Sequence, residues 1–375
     1  MASSSPPSSL KALRARAANR DIADTARVLI VDDSVVARAV ISRLIDASDR
    51  FSVVGAVGTA NAALEFLGRT TVEFILLDIA MPGVDGLTAL PGLIAAGRGA
   101  KVLIVSSSAD DGGAATVQAL ALGAAETLVK PVASALSGQF GAALVTKLER
   151  LSENAAHLPP AVVIRAPAER PAAARPIAVK PSSEDYDIVA IGASTGGIHA
   201  LSQLFAALPT GLRLPIVITQ HLPASFMPYF AAQIALLAGR PCEVAIDRLR
   251  VRPGRIIIAP GDAHLKCVKL SDGGAAFRLT HDPAASGCLP SVDPMLASMA
   301  DVYGARMLAI VLSGMGRDGA EGARHVHERG GCVVVQDQAS SVVWGMPGAI
   351  ASSGGADAVL PPDAIGRLVA TRRRP

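Results

Sequence analysis

Short aliphatic runs alternate with helical patterns along most of the chain. Between residues 27 and 150, runs at 28–31, 53–57, 74–77, 102–105 and 127–129 predict five buried strands, with helical patterns between and after them. Strands and helices that alternate in this way form a doubly wound parallel sheet with right-handed crossovers. The first part of the chain is therefore predicted to be a five-stranded α/β domain.

A second alternating region begins near residue 185. Runs at 187–191, 214–219 and 307–312 predict buried parallel strands, and a helical pattern follows the first of them. Further runs at 255–259, 265–270 and 276–280 predict a β-rich insertion at one edge. We expect a Rossmann-like α/β fold with a mostly parallel sheet.

Segments without periodicity flank and separate these two regions. Residues 1–26 are rich in Ser, Pro and Arg and lack the apolar core of a secretory signal, so a disordered tail is predicted. Residues 151–184 are rich in Pro and Ala and predict a semi-extended linker. Because 375 residues exceed what one core usually supports, we expect two domains, at 27–150 and 185–375.

Composition narrows the classes of function. Half of the residues are apolar, yet no run approaches the roughly 18 residues that a membrane span needs. A net charge of +3 is small for this length and argues against nucleic acid or an anionic membrane as the main partner. The four cysteines are scattered, without a C-x-x-C pair, and indicate reduced thiols in a cytoplasmic protein: Cys242, Cys267, Cys288 and Cys332.

Polar side chains follow the predicted strands of the first domain. Asp32 and Asp33 follow its first strand, Asp78 its third, Ser106 its fourth and Lys130 its fifth. Carboxylates at neighbouring strand ends repel one another unless a cation lies among them. Because an oxygen-only cluster suits Mg²⁺, the sequence predicts a magnesium site at this edge of the sheet.

A glycine-rich turn follows the first strand of the second domain. Residues 192–197 read Gly-Ala-Ser-Thr-Gly-Gly and lead from a strand into a helix, with Ser194 in the turn. Unpaired N–H groups at a helix start suit a serine nucleophile, a bound phosphate or simple capping, and the turn alone does not choose among them. The letters match the G-x-S-x-G elbow, but the candidate partners come in the order Ser, His, Asp, so the standard α/β-hydrolase fold is not expected.

Two further polar residues follow strands of the same predicted sheet. His221 follows the strand at 214–219, and Asp318 lies in a second glycine-rich turn after 307–312. Singly, they would be a structural histidine and a helix N-cap. With Ser194 they form a nucleophile, a base and an orienting acid, with turn N–H groups available for an oxyanion. The histidines near other loops, or in the helix after Asp318, fit less well: His199, His264, His325 and His327.

The first domain resembles a response-regulator receiver. The resemblance rests on the strand-end residues and on the loop at 80–86, which reads Ala-Met-Pro-Gly-Val-Asp-Gly. It implies a flavodoxin-like fold in which Asp78 accepts the phosphoryl group. It also implies that Asp32, Asp33 and Asp78 hold Mg²⁺, with the backbone carbonyl of Ala80 as a further ligand.

The same resemblance assigns the signalling residues. Ser106 is implied as the switch hydroxyl and Lys130 as the lysine that contacts the phosphate. Thr127 stands where many receivers have an aromatic switch residue. We therefore expect that an aromatic rotamer flip is not part of the signalling.

The second domain resembles the catalytic domain of the chemotaxis protein-glutamate methylesterases. The matching segments lie at 192–197, 220–223, 253–254, 258–261, 290–293, 313–319, 336–337 and 344–347. With the receiver and the linker, the resemblance covers about residues 27–372. It implies Ser194 as nucleophile, His221 as general base and Asp318 as its orienting acid. The Met315 backbone N–H would contribute to the oxyanion hole, and Thr195 would hydrogen-bond near the histidine.

The combined resemblance implies a phosphorylation-activated serine hydrolase of chemotaxis adaptation. A histidine kinase would phosphorylate Asp78 and relieve occlusion of the esterase site. The substrates would be glutamate methyl esters on chemoreceptors, with glutamine deamidation as a second activity. Mg²⁺ is implied in the receiver and no cofactor in the esterase domain. We expect a cytoplasmic monomer that meets the membrane only through the receptor and binds no nucleic acid.

Two other functions are weighed against this one. A phosphorylation-controlled binding module with an inactive esterase site stays open. A DNA-binding regulator is disfavoured, because no helix-turn-helix or basic recognition helix follows the receiver. Two departures from the family, at Gln233 and Gly348 where arginines are expected, concern contacts to the substrate more than the chemistry.

Overall fold

The computed structural model of the chain describes residues 25–106, 109–130, 138–152, 186–209 and 211–374. Nearly all of the predicted tail (1–26) and of the predicted linker (151–184) lies outside these ranges. Most of the described strands belong to two parallel sheets, one on each side of the linker in sequence. Within the described ranges, no helix is both long and apolar enough to cross a membrane.

The first domain alternates strands and helices as predicted. Its elements are β1 (Ala26–Val31), α1 (Val35–Asp46), β2 (Phe51–Val57), α2 (Ala60–Leu67), β3 (Phe74–Leu77), α3 (Gly86–Gly97), β4 (Lys101–Ser106), α4 (Ala109–Leu122), β5 (Glu126–Val129) and α5 (Gly138–Ser152). The five strands form one parallel sheet in the order β2-β1-β3-β4-β5. Successive residues of β1 belong to two separate hydrophobic clusters, so both faces of the sheet are buried. The predicted fold of this domain is confirmed.

The second domain is built on a larger sheet. Its elements are β6 (Ile188–Ala193), α6 (Gly197–Ala206), β7 (Ile216–Gln220), α7 (Met227–Ala238), β8 (Cys242–Val244), β9 (Ile256–Ile258), β10 (His264–Lys269), β11 (Ala275–Thr280), α8 (Val292–Tyr303), β12 (Met307–Val311), α9 (Ala320–Glu328), β13 (Cys332–Gln336), α10 (Gly345–Ser352), β14 (Ala358–Leu360) and α11 (Pro362–Thr371). Seven parallel strands follow the order β14-β13-β12-β6-β7-β9-β8, and β10 and β11 form a separate antiparallel pair. The mostly parallel α/β fold with a β-rich insertion is confirmed.

The extent of that insertion differs from the prediction. The run at 255–259 was grouped with the insertion, but β9 lies inside the main sheet between β7 and β8. Its three isoleucines are almost completely buried, as a strand covered on both faces requires. Strands β8, β13 and β14 are absent from the predicted set, and two of them have only three residues each.

The connectivity brings three loops to one edge of the sheet. From β6 the chain continues to β7 on one side, and it later returns to β12 on the other side. Open α/β sheets bind ligands at the carboxyl ends of strands where the chain reverses its direction across the sheet. The loops after β6, β7 and β12 meet at such a point.

Candidate active site

The turn that carries Ser194 is held by backbone and side-chain hydrogen bonds. The Ser194 N–H donates to the Ser313 carbonyl at 3.0 Å, and Gln220 Nε2 donates to the Ser194 carbonyl at 2.9 Å. Gly196 has a φ of 75°, and a Cβ there would lie 2.5 Å from Val342 Cβ. The turn therefore requires glycine at this position. It presents Ser194 at the start of α6 on a rigid support.

The second glycine-rich turn packs directly against the first. A Cβ on Gly314 would lie 2.8 Å from Ser194 Cβ, so only glycine allows this approach. Ser313 Oγ donates to the Thr195 carbonyl at 2.8 Å and links the two turns. The backbone N–H of Met315 makes no hydrogen bond within the described residues, and Met315 lines the same cavity as Ser194. A free N–H beside the serine is what an oxyanion hole needs.

His221 and Asp318 form a hydrogen-bonded pair beside this turn. His221 Nε2 lies 2.7 Å from Asp318 Oδ2, and the two side chains are 16% and 1% exposed. Burial disfavours the imidazolium, but hydrogen bonding to Asp318 and to the Cys288 thiol outweighs it and raises the pKa of His221 to about 9. The pair therefore stabilises the protonated ring, which is the form that a general base reaches when it takes a proton.

A second layer of donors fixes the Asp318 carboxylate. Ser291 Oγ donates to Oδ1 and the Val292 N–H donates to Oδ2, both at 2.7 Å. The Ser291 N–H in turn donates to Nδ1 of buried His264 at 2.9 Å. Burial alone would raise the pKa of Asp318, but the hydrogen bonds from His221, Ser291 and Val292 hold it well below its usual range. Asp318 is not the cap of α9, because that cap is Gly319.

Ser194 and His221 open into one cavity of about 770 Å³. Within the described residues, no hydrogen bond joins Ser194 Oγ to His221, and Nδ1 is the ring nitrogen that Asp318 leaves unused. Hydrogen bonds between catalytic groups are often long before a substrate binds. The cavity also contains Cys288, which the sequence did not single out for this site, and residues of the first domain such as Leu128 and Lys147.

The carboxylates of the first domain also meet at a sheet edge. Asp32, Asp33 and Asp78 each place a carboxylate oxygen within 4.8 Å of the others. Lys130 Nζ lies 2.7 Å from Asp32 Oδ2 and 2.6 Å from Asp78 Oδ2. Burial raises the pKa of Asp78, and the contact with Lys130 only partly offsets this. Three oxygen donors fit Mg²⁺, and a cation there would favour the ionised carboxylates.

The remaining residues predicted for this edge are also close by in the fold. Ser106 is buried at the end of β4, and its carbonyl accepts the Lys130 N–H at 2.6 Å. The Ala80 N–H donates to Asp78 Oδ1 at 3.3 Å, while a metal contact by its carbonyl stays a prediction. Thr127 lies in β5 and lines the cavity of the second domain.

Both domains match known protein families. The model described as CheB methylesterase matches residues 189–369, and the model described as response regulator receiver domain matches residues 28–136. A protein-glutamate methylesterase/protein-glutamine glutaminase of Paramagnetospirillum magneticum is 41% identical over 90% of this chain and 93% of that protein. The chain belongs to this methylesterase family.

Two further comparisons cover the chain to different extents. A relative with the same name from Rhodospirillum rubrum is 41% identical over 89% of this chain and 92% of its own length. The crystal structure of the Thermotoga maritima CheB methylesterase catalytic domain is 36% identical and covers 50% of this chain and 98% of that one, with a TM-score of 0.48.

In this member of the methylesterase family, the receiver contacts the esterase domain beside Ser194. Thr195 Oγ1 donates to Glu126 Oε2 at 2.8 Å, and Lys147 Nζ lies 3.3 Å from Glu126 Oε1. The resemblance placed the Thr195 hydroxyl near the histidine, whereas in this structure it turns to the receiver. His199, which fitted the catalytic group less well, lies at the same interface, with Nδ1 3.0 Å from the Ala121 carbonyl.

Sequence reasoning missed several residues that shape the methylesterase-family site. Ser291 supports Asp318, Glu126 contacts the turn that carries Ser194, and Cys288 lines the cavity. Ser291 belongs to a segment already matched to the family, so that match could have indicated it. Two positions depart from the family, where arginines are expected. Gln233 is half-buried in α7, and Gly348 packs so closely on Trp344 that a Cβ would lie 2.9 Å from its ring.

Proposed function

We propose that the chain hydrolyses glutamate γ-methyl esters on chemoreceptors, with Ser194 as nucleophile, His221 as general base and Asp318 as its orienting acid. The observation that carries the proposal is the buried His221–Asp318 pair, which opens into the same cavity as Ser194. The names of the relatives, which combine methylesterase and glutaminase, support both the ester substrate and a second, deamidating activity.

The proposed reaction has two steps. His221 takes the proton of Ser194 as Oγ attacks the ester carbonyl, and the oxyanion is stabilised by N–H groups that include that of Met315. The intermediate expels methanol, which receives its proton from His221, and leaves an acyl-serine. Water, deprotonated by His221, then releases the free glutamate side chain and restores the serine. With a glutamine side chain, the same steps release ammonia.

Phosphorylation of Asp78 by a histidine kinase is proposed to control this reaction. Asp32, Asp33 and Asp78 would hold Mg²⁺, which would screen the charge of the phosphoryl group against the carboxylates. Ser106 and Lys130 would contact the transferred group. Their positions at the ends of β4 and β5 support these roles.

The contact between the domains supports a blocking role for the receiver. Glu126 and Leu128 in β5, with Lys147 in α5, form one wall of the cavity around Ser194. A receptor helix would have to displace this wall to reach the serine. Intrachain interfaces of this kind are modest in size, so the added charge of a phosphoryl group can shift them.

The expected cellular setting follows from this function. All four cysteines are free thiols, as in a reducing compartment, and we place the protein in the cytoplasm. It would act as a monomer and approach the membrane only through the receptor.

Release of methanol from methyl-labelled receptor membranes tests the proposal. Full-length protein should release methanol, and a phosphodonor with Mg²⁺ should increase the rate. Release no faster than by the Ser194→Ala variant would contradict the hydrolase assignment and favour a phosphorylation-controlled binding module.

A further inference from the structure

Cys288 is a free thiol in the wall of the proposed hydrolase site. It lies in the segment before α8, is half-buried and lines the cavity together with Ser194 and His221. Its Sγ lies 3.9 Å from the Ser286 carbonyl. The proposed reaction has no step for this thiol, so its position beside the histidine needs another explanation.

The thiol belongs to a group of three different metal-binding side chains. Cys288, His221 and Asp318 each offer one donor atom, and these atoms all lie within 4.8 Å of one another. Ligands of a tetrahedral zinc ion lie about 3.3 to 3.7 Å apart, given the usual bond lengths. Small side-chain movements would therefore bring the three donors into contact with one ion. A fourth position would remain for water.

The donor types select the kind of cation. Thiolate and imidazole favour zinc and similar soft or borderline metals, whereas Mg²⁺ prefers oxygen ligands. The second cluster with metal-binding spacing in the described residues, that of Asp32, Asp33 and Asp78, contains oxygen donors alone. The two clusters should therefore bind different metals within one chain.

We propose that Cys288, His221 and Asp318 bind a divalent cation of the Zn²⁺ class, and that this cation inhibits the hydrolase. The bound ion is coordinated by a ring nitrogen of His221, so the imidazole is no longer available to take a proton. The ion also competes with the His221 ring for the Asp318 carboxylate. Ser194 then loses its base. The inhibitory effect rests on the proposed catalytic roles, whereas binding of the cation does not.

Substitution of single cysteines distinguishes metal binding by Cys288 from metal binding by the other thiols. Cys267 and Cys332 are buried, while Cys242 is half-buried like Cys288 but does not line the cavity. Cys242→Ser is therefore the matched control for Cys288→Ser. Cys288→Ala serves as a second variant in case the serine hydroxyl takes a new hydrogen bond.

Cobalt binding tests the site without reference to activity. Full-length protein titrated with Co²⁺ should develop a thiolate-to-cobalt charge-transfer band that saturates at one equivalent and disappears on addition of Zn²⁺. Cys242→Ser should retain the band, and both Cys288 variants should lose it. Persistence of the band in both Cys288 variants, or its absence from the wild-type protein, would overturn the site.

Zinc titrations of methanol release test the inhibition. Each variant is compared with its own zinc-free rate, and a chelator should restore that rate. Removing an outer-shell partner of a metal typically costs about 10- to 100-fold in affinity, so loss of the Cys288 ligand should raise the half-inhibitory zinc concentration by at least about tenfold. Equal inhibition of wild-type protein and both Cys288 variants would overturn the proposal. A protein with a cobalt band but no hydrolysis would instead contradict the proposed function.

Discussion

Asp78 in the receiver and Asp318 in the esterase domain are both buried aspartates at the carboxyl edge of a parallel sheet, yet their pKa values shift in opposite directions. Burial raises the pKa of Asp78 and Asp32 adds repulsion, while Lys130 and the Ala80 N–H only partly offset these effects. Asp318 is as deeply buried, but donors from His221, Ser291 and Val292 hold its pKa well below the usual range. The number of donors, and not burial, decides how each carboxylate ionises.

The difference fits two kinds of task. A carboxylate that is to be phosphorylated must keep an oxygen open to the donor, so it cannot be enclosed by hydrogen bonds. A carboxylate that orients a histidine must stay charged and fixed, and its supporting layer provides both. The receiver edge therefore suits a reversible modification, and the esterase edge suits preorganised catalysis.

Removal of the proposed catalytic residues should have the largest effect. We expect Ser194→Ala and His221→Ala to abolish methanol release almost completely, and Asp318→Asn to reduce turnover on the order of 10⁴-fold, because only the orientation and charge support of the histidine are lost. Ser271→Ala, in an exposed turn after β10, is the control. Wild-type hydrolysis by Ser194→Ala would refute the assignment of the nucleophile.

Loss of the receiver carboxylate should abolish phosphorylation. Asp78→Asn removes the proposed acceptor, and Asp32 and Asp33 would remain as metal ligands. Intact-mass measurements after incubation with a small acyl-phosphate donor and Mg²⁺ should show no added phosphoryl group. Glu65→Gln, on the exposed side of α2, should be phosphorylated like the wild type. Phosphate found on another aspartate of the variant would show that Asp78 is not the acceptor.

Removal of the receiver should expose the esterase edge. A fragment that begins near Pro181 should hydrolyse receptor esters at least about tenfold faster than the unphosphorylated full-length protein, since 1.4 kcal/mol of interface free energy is a factor of ten. Initial rates of the fragment, the full-length protein and its phosphorylated form at equal concentration make the comparison. Equal rates for the first two would exclude occlusion.

Ser106→Ala should separate phosphorylation from activation. The variant keeps Asp78, the proposed acceptor, and the proposed metal ligands Asp32 and Asp33. The phosphoryl group should therefore still be transferred in full. Without the hydroxyl, and with Thr127 in place of an aromatic switch residue that could share the signal, the gain in esterase rate should fall below about half of the wild-type gain. Intact mass and methanol release are measured on the same sample. Full activation of the variant would remove Ser106 from the signalling path.

The smallest effect is expected at the contact between the receiver and the esterase domain. Glu126→Ala removes the acceptor of the Thr195 hydroxyl, and a net hydrogen bond is worth about 1 kcal/mol. The rate of methanol release by the unphosphorylated protein should therefore rise by roughly fivefold. Glu149→Ala, which removes a surface pair with Arg50, is the control and should leave the rate unchanged. If both variants behaved alike, Glu126 would have no specific part in closing the site.

The sequence alone determined the two α/β domains and the residues at their strand ends. Aliphatic runs that are buried on both faces are visible as continuous apolar segments, and parallel strands align their carboxyl ends at one edge. For that reason Ser194, His221 and Asp318 could be grouped before any distance was known, and so could Asp32, Asp33 and Asp78. The run at 255–259 was misplaced, because an apolar segment does not reveal its neighbours in the sheet.

Only the tertiary structure decided what surrounds these residues. The contact of Glu126 with Thr195 joins residues 69 positions apart in different domains, and Cys288 reaches His221 through the segment before α8. The donors from Ser291 and Val292 to Asp318 arise where α8 begins beside the turn after β12. Such contacts follow no period along the chain, because they depend on how separate elements and domains pack. The ionisation of each aspartate was decided by this packing, since a donor must come within hydrogen-bonding distance of the carboxylate to favour its ionised form.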